Sequence, residues 1–99
     1  MKKAKTEYQE KVINKIRKLR MDNNISQSQL SEVLSISPGL VGNIESHKYS
    51  HKYTLKQIKY ICEYFGCPIS SLFFDDNEDL NEKNELINML ILKIIEYDK

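Results

Sequence analysis

The spacing of apolar residues predicts two short helices, one directly after the other, in the middle of the chain. Ser26 is placed to cap the first, with Gln29 at the third position that a capping box requires. Ser37 is placed to cap the second, and Pro38 suits its first helical position, where the missing N–H costs nothing. The expected helices cover about 27–34 and 38–46, and their apolar faces consist of Leu30, Val33, Leu34, Leu40, Val41 and Ile44. Helices this short are not stable alone, so they must pack on a common core at a steep angle.

Three further helices are predicted around this pair. The first starts near Thr6, carries its apolar stripe inward and ends within residues 21–24, where Asp and Asn signal a turn. The next starts at the capping residue Thr54 and stops at Gly66, and a short helical turn follows Pro68. Every predicted element is a helix, so the expected fold class is all-α.

The last part of the chain is predicted to be a helix over about 80–97 that is apolar nearly all the way round. An acidic linker, 75–79, precedes it, so we expect a domain over 1–74 and a separate segment over 75–99. A helix on a single core needs only one apolar stripe, so two apolar faces imply two contacts. The alternative is complete burial in a monomer, for which 99 residues offer little material. We therefore expect a homodimer that uses Ile87, Leu90, Ile91 and Ile94.

Charge is divided unevenly, although the whole chain carries only +1. Residues 1–60 hold twelve Lys or Arg against five acids, a net charge of +7, whereas residues 61–99 hold three Lys against nine acids, a net charge of −6. The two central helices lie in the basic part. A tight helix-turn-helix that presents the start of its second helix is a common device for entering the DNA major groove. The basic part therefore fits double-stranded DNA as a partner, and the acidic part is expected to point away from it.

The cysteines and histidines do not favour a metal site. Cys62 falls on the apolar stripe of the fourth helix, and Cys67 follows Gly66, where an apolar contact commonly closes a helix end. His47 and His51 are four residues apart, but their loop is basic and Cys62 should face inward. We expect no metal and no cofactor, and two reduced cysteines fit a cytoplasmic protein.

Several classes of function are disfavoured by the same residues. The chain shows no Ser/His/Asp cluster, no paired acids in a cleft and no phosphate-cradling Gly-rich loop, and it holds only three glycines, so we do not expect an enzyme. It leaves no room for an effector domain, so no small-molecule ligand is expected. The most apolar window, 86–95, is too short to span a bilayer, which needs about 20 residues.

Four segments of the sequence resemble those of a known protein family. The segments that carry the likeness are I-R-K-L-R (16–20), S-Q-S-Q-L (26–30), I-S-P-G-L-V-G-N-I-E (36–45) and I-S-S-L-F (69–73). Together they resemble the Cro/repressor-type helix-turn-helix domain, also called the XRE family, over roughly residues 11–74. V-G-N-I-E, K-Y-T-L and F-G-C-P are similar to XRE regulators of Bacteroidetes-like bacteria. The resemblance implies a five-helix, lambda-repressor-like DNA-binding domain, with the apolar C-terminal helix added outside it.

The resemblance also implies roles for individual residues. Arg20 and Glu45 match an ion pair that ties the first helix to the end of the recognition helix, and Gln27 matches a glutamine that holds a DNA phosphate. Base contacts would come from Gly39, Leu40 and Asn43, of which only Asn43 can hydrogen-bond a base. The phosphate contacts expected from helix ends and from the following loop are Ser26, Gln27, Ser37, Lys48, His51 and Lys52.

Two glycines in this region leave two interpretations open, and one serine stands at an unusual position. Gly39 and Gly42 let a backbone approach closely, and the neighbour is either DNA or an adjacent helix. Ser35 stands where the family usually has a left-handed glycine.

The expected function is a bacterial or phage transcriptional regulator, by resemblance a repressor, that binds DNA as a homodimer. The alternative is a protein-interaction module, such as an antitoxin whose last helix binds a partner protein.

Overall fold

The computed structural model describes residues 4–75 and 83–99, which form six α-helices and no β-strand. The helices are α1 (Glu7–Asp22), α2 (Gln27–Val33), α3 (Leu40–Glu45), α4 (Leu55–Phe65), α5 (Ser70–Phe73) and α6 (Lys83–Tyr97). The predicted all-α class is confirmed, while the division into a five-helix domain and an added helix stays a prediction. The acidic linker predicted over 75–79 lies outside the described residues except for Asp75, and so does the predicted helix start at Leu80.

The starts of α1, α2 and α4 follow from capping boxes. At α1 the hydroxyl of Thr6 accepts the Gln9 N–H at 3.0 Å, and the Gln9 side chain accepts the Thr6 N–H at 2.9 Å. Two further boxes of the same kind begin α2 and α4, formed by Ser26 with Gln29 and by Thr54 with Gln57. Each box satisfies two backbone donors that a helix start otherwise leaves without partners. These three predicted starts are confirmed.

The predicted start of α3 is wrong. Ser37 does not cap the helix, because the N–H of Leu40 is taken by the Ser37 carbonyl at 2.9 Å in a tight turn through Pro38. The helix therefore begins at Leu40 and not at Pro38. Its first turn is held instead by Ser31 of α2, whose buried hydroxyl accepts the Val41 N–H at 3.4 Å and donates to the Pro38 carbonyl at 3.2 Å.

Three helices end in a left-handed residue. Asn24, Ser35 and Gly66 have φ values of 57°, 56° and 71° and follow α1, α2 and α4. After α2, the N–H groups of Ser35 and Ile36 bond back to the carbonyls of Glu32 and Ser31, which closes the helix in a Schellman motif. The motif turns the chain sharply into α3. Ser35 thus adopts the conformation expected at its position, without the freedom that glycine would have there.

One core is shared by all six helices. α1, α3 and α4 contribute most of it, and α6 packs against α1 and α5. The buried residues of this core are Val12, Ile13, Ile16, Leu30, Val41, Ile44, Tyr53, Ile58, Ile61, Cys62, Leu72, Phe73 and Tyr97. Within the described ranges, no helix is long and apolar enough to cross a lipid bilayer.

The end of α6 is held by several polar contacts. The Tyr97 hydroxyl donates to the Tyr53 carbonyl at 2.8 Å, and its ring meets Phe73 edge to face. The Tyr97 carbonyl accepts from Gln9 Nε2 at 2.8 Å and from Lys52 Nζ at 3.1 Å. The last turn of α6 is therefore part of the same packed unit as α1.

Candidate nucleic-acid interface

The C-terminal end of α3 is held by a carboxylate hub at Glu45. Arg20 of α1 donates two hydrogen bonds to this carboxylate, from Nε and Nη2, both at 2.9 Å. The two side chains are only 10% and 4% exposed, and Arg20 also donates to the Ile25 carbonyl at 2.7 Å. The bidentate geometry and the burial make this pair a fixed brace between α1 and α3. The ion pair that the family resemblance implied between Arg20 and Glu45 is thus present.

Gln27, at the start of α2, reaches the same hub. Its Nε2 donates to Glu45 Oε1 at 3.0 Å, so the amide side chain lies across α3. A Cβ built on Gly42 would come within 3.2 Å of Gln27 Oε1. For Gly42, the structure therefore supports the alternative of packing against a neighbouring helix. A Cβ on Gly39 meets nothing within 4 Å, so Gly39 faces open space.

Two of the expected base-contact residues lie on the outer side of α3: Gly39 is exposed just before the helix, and Asn43 is half-buried along it. Leu40 is half-buried and packs partly against the core. The Asn43 side chain makes no hydrogen bond to any residue that the structure describes. Its amide is free to meet the donor and acceptor of a base edge, which is the chemistry that reads adenine.

The expected phosphate contacts divide into two groups. Ser26, Ser37, Lys48 and His51 are exposed, and the His51 ring lies 5.9 Å from the Tyr49 ring in the loop after α3. Lys52 differs, because its ammonium group donates to the Tyr97 carbonyl and lies 5.3 Å from the Tyr97 ring centre. The structure thus brings Lys52 to the end of α6, away from the other cations of the loop.

Two contacts that the sequence did not reveal also hold α3. The Ser31 hydroxyl bridges α2 to the first turn of α3; a serine on an otherwise apolar helix face was the available signal. Lys5 donates to the Ser46 carbonyl at the other end, at 2.6 Å, and is 4% exposed. Burial lowers the pKa of Lys5, and Glu10 nearby partly offsets that effect. No local pattern in the sequence marks Lys5, because its partner lies 41 residues away.

Many of the cations counted in the basic part of the chain have partners within the protein. Lys11 and Lys15 lie beside Asp75, and Lys18 pairs with Asp22 one turn further along α1. Lys15 also donates to the Phe74 carbonyl at the end of α5, at 2.6 Å. Net charge therefore overstates the positive charge available to an external anion. The exposed Lys48 becomes more important as a cation that could bind such an anion.

The predicted dimerisation residues separate onto two sides of α6. Leu90 and Ile94 pack against the core, whereas Ile87 and Ile91 are 58% and 51% exposed. Leu92 and Ile95 are also more than half exposed. We call these four residues the α6 outer face: Ile87, Ile91, Leu92 and Ile95. The helix thus has one apolar side toward its own domain and another toward solvent.

Comparison with known proteins identifies the fold of this region. A family model described as a Cro/C1-type HTH DNA-binding domain matches residues 15–76, well over half of the chain. The match covers the Arg20–Glu45 brace, α2, the turn at Ser35, α3 and the loop that follows it. No curated protein and no solved structure matches the sequence.

Proposed function

The chain belongs to the Cro/C1-type helix-turn-helix DNA-binding family, and from this premise we propose that it is a sequence-specific transcriptional regulator that binds operator DNA as a homodimer. The observation that carries the proposal is the exposed start and outer side of α3, braced at both ends by buried polar contacts. An element held this rigidly presents its side chains to a groove without a cost for ordering its backbone.

Base recognition is assigned chiefly to Asn43. Its free amide suits a bidentate contact with adenine, Leu40 suits a thymine methyl group, and Gly39 allows a close approach to the DNA. Few other groups on α3 can read a base edge. We therefore assign a large share of the affinity to phosphate contacts and to the shape of the DNA.

Phosphate contacts are assigned to exposed groups on both sides of α3. Lys48 and His51 lie in the loop after α3, and Ser26 and Ser37 precede α2 and α3. Gln27 is retained because its amide nitrogen carries two hydrogens, of which Glu45 takes one. Lys52 is left out of the set, because its ammonium group already serves the Tyr97 carbonyl.

Dimerisation is assigned to the α6 outer face, since four large apolar side chains on one side of a helix favour burial against a second copy. A two-fold dimer would then bind a pseudo-palindrome with half-sites about 34 Å apart. Repression, by covering a promoter, is proposed from the family resemblance, and so is a bacterial or phage origin.

The proposal is tested first by selecting bound sequences from a random duplex pool at near-physiological salt. The expected result is an enriched, two-fold symmetric site. Enrichment of a single asymmetric half-site would contradict the dimer, and binding without enrichment would contradict sequence specificity. No binding at all would contradict the function itself.

The roles of Asn43 and Lys48 are separated by their effects on specificity. Asn43→Ala should reduce the preference for the selected base by about 1–3 kcal/mol while leaving non-specific binding unchanged. Lys48→Ala should weaken all sequences alike and reduce the salt slope by about one. Lys11→Ala removes the same charge from α1, beside Asp75, and serves as the matched control with little effect. Equal effects of Asn43→Ala on all sequences would refute the assignment of Asn43 as a base reader.

The dimer assignment is tested by making the outer face polar. The double variant Ile87→Ser/Ile91→Ser should have half the mass of the wild-type protein in sedimentation, with an unchanged helical circular dichroism spectrum. Met21→Ser is the matched control, because Met21 is exposed to a similar extent, 53%, but lies on α1. A wild-type protein that sediments as a stable monomer would refute the assignment.

The same outer face supports one alternative, a protein-interaction module in which α6 binds a different protein. In that case the isolated protein would be an aggregating monomer, since its apolar face lacks a partner. A clean homodimer that also binds a selected operator would exclude this alternative.

A further inference from the structure

The C-terminal end of α4 brings the two cysteines of the chain together. The N–H groups of Gly66 and Cys67 both donate to the Cys62 carbonyl, the latter at 3.0 Å, and Gly66 has the left-handed φ of 71°. A helix end closed in this way places the side chain of the residue after the glycine against the side chain of the residue four positions before the glycine. Apolar side chains usually meet there. In this chain the two positions hold Cys67 and Cys62, and Cys67 packs against the core to which Cys62 belongs.

We propose that Cys62 and Cys67 form a redox-active dithiol, which closes to an intramolecular disulfide by exchange with a small-molecule disulfide such as oxidised glutathione. The proposal is independent of the proposed DNA binding. It rests on the backbone cap, which places the two side chains next to each other whatever else the protein does.

Access to the pair is through Cys67. Cys62 is 5% exposed and belongs to the core, whereas Cys67 is half-buried and lines a surface cavity of about 200 Å³. Lys15, Lys18 and Asp22 of α1 line the same cavity, so its rim carries both signs of charge.

The exchange proceeds in two steps. The Cys67 thiolate attacks one sulfur of oxidised glutathione, which forms a mixed disulfide and releases one glutathione thiolate. Cys62 then loses its proton and its sulfur attacks Cys67 Sγ, which breaks the mixed disulfide and releases the second glutathione thiolate. The two protons from the cysteines end on the two released thiolates. The protein dithiol is thus oxidised by two electrons, and one oxidised glutathione becomes two reduced molecules.

The order of the steps follows from the surroundings of the thiols. Burial, and to a smaller extent the neighbouring Cys67, together raise the pKa of Cys62 to about 12. Cys62 is therefore rarely a thiolate near neutral pH, so Cys67 reacts first and ring closure is the slow step.

The test treats reduced wild-type protein with oxidised glutathione, traps free thiols with iodoacetamide and measures intact mass. The expected product has lost both free thiols and two hydrogen atoms and migrates as a single chain on a non-reducing denaturing gel. Cys62→Ala should instead accumulate the glutathione adduct on Cys67, and Cys67→Ser should keep its Cys62 thiol free. A stable adduct on the wild-type protein, a covalent dimer or two unreacted thiols would each overturn the proposal.

A second measurement needs no variant and so does not depend on whether the variants fold. Reduced wild-type protein is offered phenylarsine oxide, which forms a ring only with two adjacent thiols. We expect one equivalent to bind the native protein and to be released by a small competing dithiol. Failure to bind, with both thiols titratable after unfolding, would show that the native structure keeps the two sulfurs apart.

Discussion

Replacement of Arg20 by leucine is expected to be among the most destabilising single changes in this protein. The substitution keeps most of the apolar stem but removes both hydrogen bonds to Glu45 and the bond to the Ile25 carbonyl. The Glu45 carboxylate, 4% exposed, would keep Gln27 Nε2 at 3.0 Å and Arg17 Nε at 3.6 Å. Neither neighbour matches the bidentate guanidinium, so a buried negative charge would be left poorly compensated.

The expected cost is about 3–5 kcal/mol, the range found when one partner of a buried ion pair is removed. A chain of 99 residues is expected to have a total stability of about 5–15 kcal/mol, so the loss is a large fraction. The double variant Arg20→Leu/Glu45→Leu removes both charges and leaves none stranded. Its cost should therefore be at least about 2 kcal/mol less than the sum of the two single changes.

The assay is urea unfolding followed by circular dichroism at the helical minimum, with the slope of the free energy against urea held as an internal check. Lys18→Leu serves as the control, because its ion pair with Asp22 is exposed and should contribute nothing measurable. A loss below about 1 kcal/mol for Arg20→Leu, or additive losses in the double variant, would refute the view that Glu45 is a buried hub.

Three further substitutions and a rise in pH test other parts of the structure. Ser35→Gly should raise the free energy of unfolding by about 1 kcal/mol, because it relieves a left-handed serine, and Gly66→Ser should lower it by a similar amount. Ser31→Ala should cost about 1–2 kcal/mol, because it leaves the Val41 N–H and the Pro38 carbonyl without their shared partner. Burial raises the pKa of both Tyr53 and Tyr97 above the ordinary value of 10, so stability should fall as pH rises above about 10, by about 1.4 kcal/mol per pH unit for each tyrosine.

Each of these expectations has a distinct contrary result. An unchanged or lower stability of Ser35→Gly would mean that the serine makes a compensating contact. A neutral Ser31→Ala would mean that water replaces the hydroxyl. The sign of the pH effect follows because the unfolded chain loses its tyrosine protons near pH 10 while the folded chain keeps them. Stability that is flat up to pH 11, or a Tyr53→Phe variant with the same alkaline slope, would contradict the tyrosine assignment.

The parts of the fold that follow from the sequence are those set by neighbours along the chain. A capping box joins residues three apart, so Thr6, Ser26 and Thr54 could be identified as helix starts from their own surroundings. The left-handed end at Gly66 is equally local. The apolar residues of α3 also determine which of its sides faces the core. The outer position of Gly39 and Asn43 could therefore be predicted despite the error over the first turn.

The parts that did not follow depend on residues distant in sequence. The first turn of α3 is held by Ser31 of another helix, while the Leu40 N–H that a Ser37 cap would use is bound by the Ser37 carbonyl. Lys52 was expected to face DNA because it lies in a basic loop, but its partner is Tyr97, 45 residues away. Pattern reasoning has no access to such pairs, since the partners meet only when the helices have packed together.

The docking of α6 changes how the two proposed functions of the molecule relate to each other. Tyr97 is fully buried, and its hydroxyl and carbonyl bind the backbone of Tyr53 and the side chain of Lys52, both in or next to the loop that follows α3. Gln9 ties the same carbonyl to α1, which also carries Arg20 and hence the brace to Glu45. The helix proposed to form the dimer and the helix proposed to read DNA are therefore attached to one rigid frame. A dimer made through the α6 outer face would fix the distance between two copies of α3, so half-site spacing would follow from helix packing and not from a flexible linker.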